Sequence, residues 1–65
     1  MILKIGIIGC GRISDQHALE IQNIQGCEMV GTCDSELLMA SQMADRFNIK
    51  HYFDNVDKLI DLNLF

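Results

Sequence analysis

Residues 4–14, Lys4-Ile5-Gly6-Ile7-Ile8-Gly9-Cys10-Gly11-Arg12-Ile13-Ser14, decide how this chain is read. Before the second glycine stands an apolar, mostly β-branched run, Ile2, Leu3, Ile5, Ile7 and Ile8, interrupted by a single lysine. That pattern predicts a strand buried on both faces of a parallel sheet. Gly9-Cys10-Gly11-Arg12 then predicts a turn. From Ile13 the apolar positions Ile13, Ala18, Ile21 and Ile24 recur at helical spacing, with His17 on the same face, and Gly26 is the expected stop. His17 on that face is expected to be a packed, hydrogen-bonded side chain.

Working outward, Met29 to Cys33 forms a second short apolar run that ends at Asp34. Asp34 or Ser35 is placed to cap a following helix with Leu37, Ala40, Met43, Ala44 and Phe47 on its inner face and Asn48 as its stop. Met39 and Met43 read as packing residues. His51-Tyr52-Phe53 predicts a third short strand, and Asn55 caps a helical turn through Val56, Leu59 and Ile60. The apolar end, Leu62-Asn63-Leu64-Phe65, has the look of an unfinished segment. The order is strand, helix, strand, helix, strand, and the lengths suit a β-α-β crossover: six strand residues reach roughly 20 Å, and eleven helical residues return roughly 16 Å. The expected fold is α/β, a Rossmann-type βαβαβ half on a parallel three-stranded sheet.

Composition limits what such a chain can be. With 65 residues, 49% hydrophobic and 22% charged, it holds one small domain at most. Five Lys and Arg against nine Asp and Glu give a net charge of −4, the wrong sign for a nucleic-acid partner. No apolar run reaches the roughly 20 residues of a membrane span, and the start is not that of a signal peptide, so neither a membrane nor export is expected. The expected location is the cytoplasm. Cys10, Cys27 and Cys33 form no C-x-x-C pair and have only His17 and His51 to join them. They are expected as reduced thiols and not as a disulfide frame or a metal site.

Each small residue of the turn has its own steric use. Gly9 permits the tight turn, Gly11 lets a backbone approach a pyrophosphate, and Ser14 lets helix and strand pack closely. The helix start beyond offers free N–H groups and a partial positive charge, which makes the amides of Arg12 and Ile13 the candidate pyrophosphate donors. The Arg12 guanidinium is either a further pyrophosphate contact or a solvated loop arginine. Cys10 is expected to contribute backbone only. Asp34 lies 25 residues after Gly9 and 20 after Ser14, where a dinucleotide site needs a carboxylate for the adenosine ribose hydroxyls. Ser35 is a candidate for the same pocket. The bland alternatives are that the glycines only make a turn and that Asp34 only caps a helix. No arginine or lysine follows Asp34 until Arg46, at the far end of the second helix, which favours NAD over NADP.

Lys4 to Ile13, the His17-Ala18 pair and the Cys33-Asp34 strand end resemble the amino-terminal nucleotide-binding segment of the glucose–fructose oxidoreductase/inositol dehydrogenase/MocA family, and Phe47-Asn48-Ile49, Tyr52 and Asp54 fit its second helix and third strand. The resemblance spans essentially the whole chain. Ser14 departs from it, standing where that family usually has glycine or alanine, and its hydroxyl is expected to loosen helix packing slightly. The resemblance implies an NAD-dependent oxidoreductase of sugars, cyclitols or related polyols, a homo-oligomer, with a substrate domain beyond these 65 residues and no catalytic residue among them. On that view the chain is the amino-terminal portion of a dinucleotide-binding domain. A non-catalytic dinucleotide-sensing module is the alternative. An S-adenosylmethionine methyltransferase fits less well, because its glycine loop commonly follows an acidic strand end.

Overall fold

In a computed structural model that describes residues 2–63, the chain forms β1 (Leu3–Ile8), α1 (Arg12–Gln22), β2 (Cys27–Cys33), α2 (Leu37–Arg46), β3 (His51–Phe53) and α3 (Val56–Ile60). The three strands make one parallel sheet in the order β1-β2-β3. The expected βαβαβ half is therefore observed. β2 begins two residues earlier than its apolar run suggested, because Cys27 and Glu28 pair with Leu3 and Lys4. The register slips by one between Ile5 and Gly6: Ile5 lies opposite Met29 but Gly6 lies opposite Gly31. Val30 is the extra residue of this bulge and is buried.

Side-chain alternation places the layers. Thr32, wholly buried, donates its hydroxyl to the Ala40 carbonyl of α2 at 2.8 Å, so Thr32 and its register partner Ile7 face α2. On this face Ile7, Cys10, Ala18, Ala40 and Met43 form the core, with Met29, Met39 and Phe47 packed against it. Gly31 points to the other face. There α3 approaches closely, and a Cβ built on Gly31 would lie 2.6 Å from Leu59 Cδ1.

Several expectations about the first two elements are corrected. Leu3 and Ile8 are exposed, Ile8 by 62%, so β1 is not buried on both faces. α1 ends at Gln22 rather than near Gly26. Its one buried residue is Ala18; Ile13 and Ile24 are exposed, and so is His17, which is no packed core histidine. The helix touches the sheet through a small residue, which brings it close and leaves its flanking large side chains outside the contact. In α2, Ala40, Met43 and Ala44 are buried as expected, while Leu37 is exposed. Neither Asp34 nor Ser35 is its N-cap: Glu36 occupies that position, without a side-chain cap bond. Asn48 does stop the helix region, in the left-handed conformation with φ 56°, and the Asn55 side chain accepts from the Asp57 amide as the expected cap of α3. Leu64 and Phe65, the end of the apolar tail, lie outside the described residues. No described helix is long and apolar enough to cross a membrane.

Candidate functional site

The site begins where β1 stops. Gly9 has φ +86°, a conformation that side chains other than glycine's rarely tolerate, and it turns the chain out of the strand. Its amide donates to the Cys33 carbonyl at 2.8 Å, so the turn is tied to the end of β2. Gly11 follows at the N-cap of α1 with φ −84° and ψ −171°, extended backbone open to any residue. A Cβ built there meets no heavy atom within 4 Å. Neither backbone strain nor packing asks for glycine at position 11. A side chain there would extend into open space beside the helix start.

The hydrogen-bond ladder of α1 starts with the amides of Ser14 and Asp15, both bonded back to the Gly11 carbonyl at 3.1 and 3.4 Å. The amides of Arg12 and Ile13 precede that ladder and lie at the positive end of the helix. Both residues are exposed, Ile13 by 70%. Ser14, the departure from the family pattern, has a partner for its hydroxyl. Its hydroxyl donates to the Gly9 carbonyl and ties the first turn of α1 to the loop. Asp15, acidic and in that same first turn, pairs with Arg46 at 2.8 Å. Arg46 is thus not remote from this end of α1, as its place at the end of α2 suggested, but its guanidinium is engaged by a carboxylate.

Asp34 sits half-buried one residue past β2. The Cys10 amide donates to its Oδ2 at 2.9 Å and the Glu36 amide to its Oδ1 at 2.8 Å. Together these two backbone donors, Glu36 first, hold the carboxyl below the ordinary aspartate range, so it is ionised at neutral pH. Ser35 is exposed in the turn beside it. The fold therefore brings Gly9, Cys10 and Asp34 into one hydrogen-bonded unit with Gly11, Arg12 and Ile13 at its open side.

Cys10 contributes its backbone, as expected, and the partner of its amide is what sequence reasoning did not supply. The residue is 1% exposed, its thiol lies 3.4 Å from the Cys33 carbonyl, and its amide meets Asp34. Burial, and next the Asp34 charge, push its thiol pKa up, which makes it unreactive packing. Burial likewise raises that of Cys33. A small side chain between two glycines, directly after an apolar strand, was the available signal. All three cysteines are free thiols.

A parallel βαβαβ half with a glycine turn at its first strand-to-helix junction defines the Rossmann class of nucleotide-binding folds. Within that class, the Gfo/Idh/MocA model, described as an oxidoreductase family with an NAD-binding Rossmann fold, matches residues 3–63, and the chain belongs to that family. It is 43% identical over 58 residues to glucose-6-phosphate 3-dehydrogenase of Bacillus subtilis strain 168; the match covers 89% of this chain and 16% of that protein. Its fold is similar to that of an oxidoreductase from Agrobacterium radiobacter crystallised with NAD+, L-tartaric acid and magnesium. There the TM-score is 0.83 at 21% identity, over 89% of this chain and 17% of the other. The chain thus spans about a sixth of the length of either relative.

Proposed function

We propose that this chain is the amino-terminal portion of the dinucleotide-binding domain of an NAD-dependent dehydrogenase acting on a sugar, cyclitol or related polyol. The observation that carries the reading is the glycine loop itself, open at Gly11 and with its Cys10 amide bonded to the ionised carboxylate of Asp34. Bound there, NAD would supply the nicotinamide carbon that exchanges hydride with the substrate carbinol. The Arg12 and Ile13 amides would hold the pyrophosphate at the helix start, and Gly11 would let the backbone come close. The free lone pairs of Asp34 would accept from the adenosine ribose hydroxyls, with Ser35 at the pocket edge and Arg12 at the solvent side of the phosphates. No catalytic residue is assigned to these 65 residues. The identity to glucose-6-phosphate 3-dehydrogenase supports a phosphorylated or free sugar as the first substrate to try.

The test uses the full-length protein. Reduction of NAD with glucose 6-phosphate, free sugars or inositols, and tight NAD binding by titration calorimetry, are expected. Binding without turnover across that panel would favour the dinucleotide-sensing alternative, and no binding of NAD or NADP would refute both.

A further inference from the structure

We infer that Asp34 is a positioning residue for the glycine loop, its carboxylate holding the Cys10 amide and so setting how the Gly9–Ile13 backbone meets a pyrophosphate. The inference deepens the proposed cofactor role and rests on that reading for its ligand, though the contact itself stands without one. Two ties, the Gly9 amide and the Cys10 thiol, reach the same carbonyl, that of Cys33, and fix only the exit from β1. The bond from the Cys10 amide to Asp34 Oδ2, at 2.9 Å, adds a tie one residue further along each chain, from the loop to the residue that follows β2. Gly11, next along, is extended and has no neighbour where its Cβ would be. Without the Asp34 carboxylate, Cys10 would keep its buried position with its amide unpartnered, which is costly. Release of that amide leaves the Cys10–Gly11 backbone held from the α1 side only, by the Ser14 hydroxyl on the Gly9 carbonyl and the Ser14 amide on the Gly11 carbonyl.

A second feature makes the carboxylate, and not simply a polar residue, the fitting side chain. Its two oxygens take two amides from two places, Cys10 in the loop and Glu36 in the turn to α2. Serine at this position retains an oxygen for the local turn but is one bond too short for the loop.

Bracing and charge act on anion binding with opposite sign. Asp34 is a negative charge beside an anion site, so removing it would, by Coulomb's law alone, tighten pyrophosphate. Removing a brace would weaken it. Inorganic pyrophosphate has no ribose, so loss of a ribose contact leaves it unaffected.

The experiment compares full-length protein with its Asp34→Ser variant, free of cofactor. Amide hydrogen exchange is expected to quicken about tenfold or more at Cys10 while Thr32 and Met43, reporters of the core, stay within about twofold. The dissociation constant for inorganic pyrophosphate is expected to rise about threefold or more. Unchanged exchange at Cys10, or tighter pyrophosphate, overturns the inference. If core exchange shows that Asp34→Ser does not fold, Asp34→Asn decides. Its single acceptor oxygen faces two amides, so exchange must rise at Cys10 or at Glu36, and no rise at either overturns the inference. If the unmodified protein binds neither pyrophosphate nor NAD, the dinucleotide reading falls while exchange at Cys10 still decides the brace.

Discussion

Gly9 and Gly11 stand two residues apart and are glycines for different reasons. Gly9 is held at φ +86°, so Gly9→Ala forces an L side chain into the left-handed region, at about 1–2 kcal/mol. Gly11 is extended with open space around it, so Gly11→Ala is expected to leave folding within about 0.5 kcal/mol of the parent. It should nevertheless weaken NAD about tenfold or more, because the methyl group stands where the pyrophosphate approaches. Urea unfolding and NAD titration of both variants separate the two roles. On the proposed reading, Asp34 sets cofactor choice. Facing a 2′-phosphate, each pair of unit charges about 4 Å apart costs roughly 1 kcal/mol in water and about 4 kcal/mol at an effective dielectric of 20. Full-length protein is therefore expected to prefer NAD. Asp34→Ser with Ser35→Arg should shift the NAD to NADP ratio of kcat/KM by about tenfold or more. Loss of the loop brace affects both cofactors and cancels in that ratio. An unmoved ratio would reduce Asp34 to a structural residue.

Between elements, this fold relies on small side chains at the contacts. Ala18 seats α1, Ala40 and Ala44 seat α2, and the Thr32 hydroxyl ties β2 to the α2 backbone. On the opposite face Gly31 admits Leu59 of α3, which is itself buried. Gly31→Ala would put a methyl group 2.6 Å from Leu59 Cδ1. The leucine must leave its rotamer, and a loss of about 1–3 kcal/mol is expected. Leu59→Ala alone costs about 2–5 kcal/mol through the cavity it opens. In the double variant the clash is gone, so the combined loss should fall clearly short of the sum of the two. A denaturant cycle on the four proteins measures this. Strict additivity would mean that α3 does not pack on Gly31 in solution.

At the scale of the whole molecule the two faces of the sheet are unequal. α1, α2 and the core cluster cover one of them. On the other, α3 shields β2 and leaves a shallow apolar groove lined by Gly6, Ile8, Leu59 and Ile60. Among the described residues β1 pairs with β2 alone, so its second edge is open, and Ile2, Leu3 and Ile8 beside it are exposed. An open edge flanked by apolar side chains is a template for association. The 65-residue chain expressed by itself is expected to self-associate and to show no dehydrogenase activity with NAD and polyols. Sedimentation across a concentration series tests the first and an NADH absorbance assay the second. A monomer with a sharp, concentration-independent melting transition would contradict the first expectation, and polyol-dependent NAD reduction the second.

The sequence alone determined the order of the six elements, the parallel βαβαβ class and the location of the glycine turn. Those features follow from local period and from backbone rules that a glycine or an asparagine carries with it wherever it is placed. Asn48 and Asn55 were legible as a helix stop and a cap for the same reason. Tertiary structure decided which apolar residues are buried. Helical spacing put Ile13, His17, Ala18, Ile21 and Ile24 on one face, and only the distance between helix and sheet selected Ala18 from that set. It also decided the bulge at Val30, which depends on how two strands align, and the salt bridge of Arg46 with Asp15, 31 residues apart. Asp34 shows the division most clearly. Spacing from the glycines marked it as a carboxylate at the end of β2. Its bond to the Cys10 amide, 24 residues earlier, exists because parallel pairing brings the ends of β1 and β2 side by side, a proximity that no local pattern encodes.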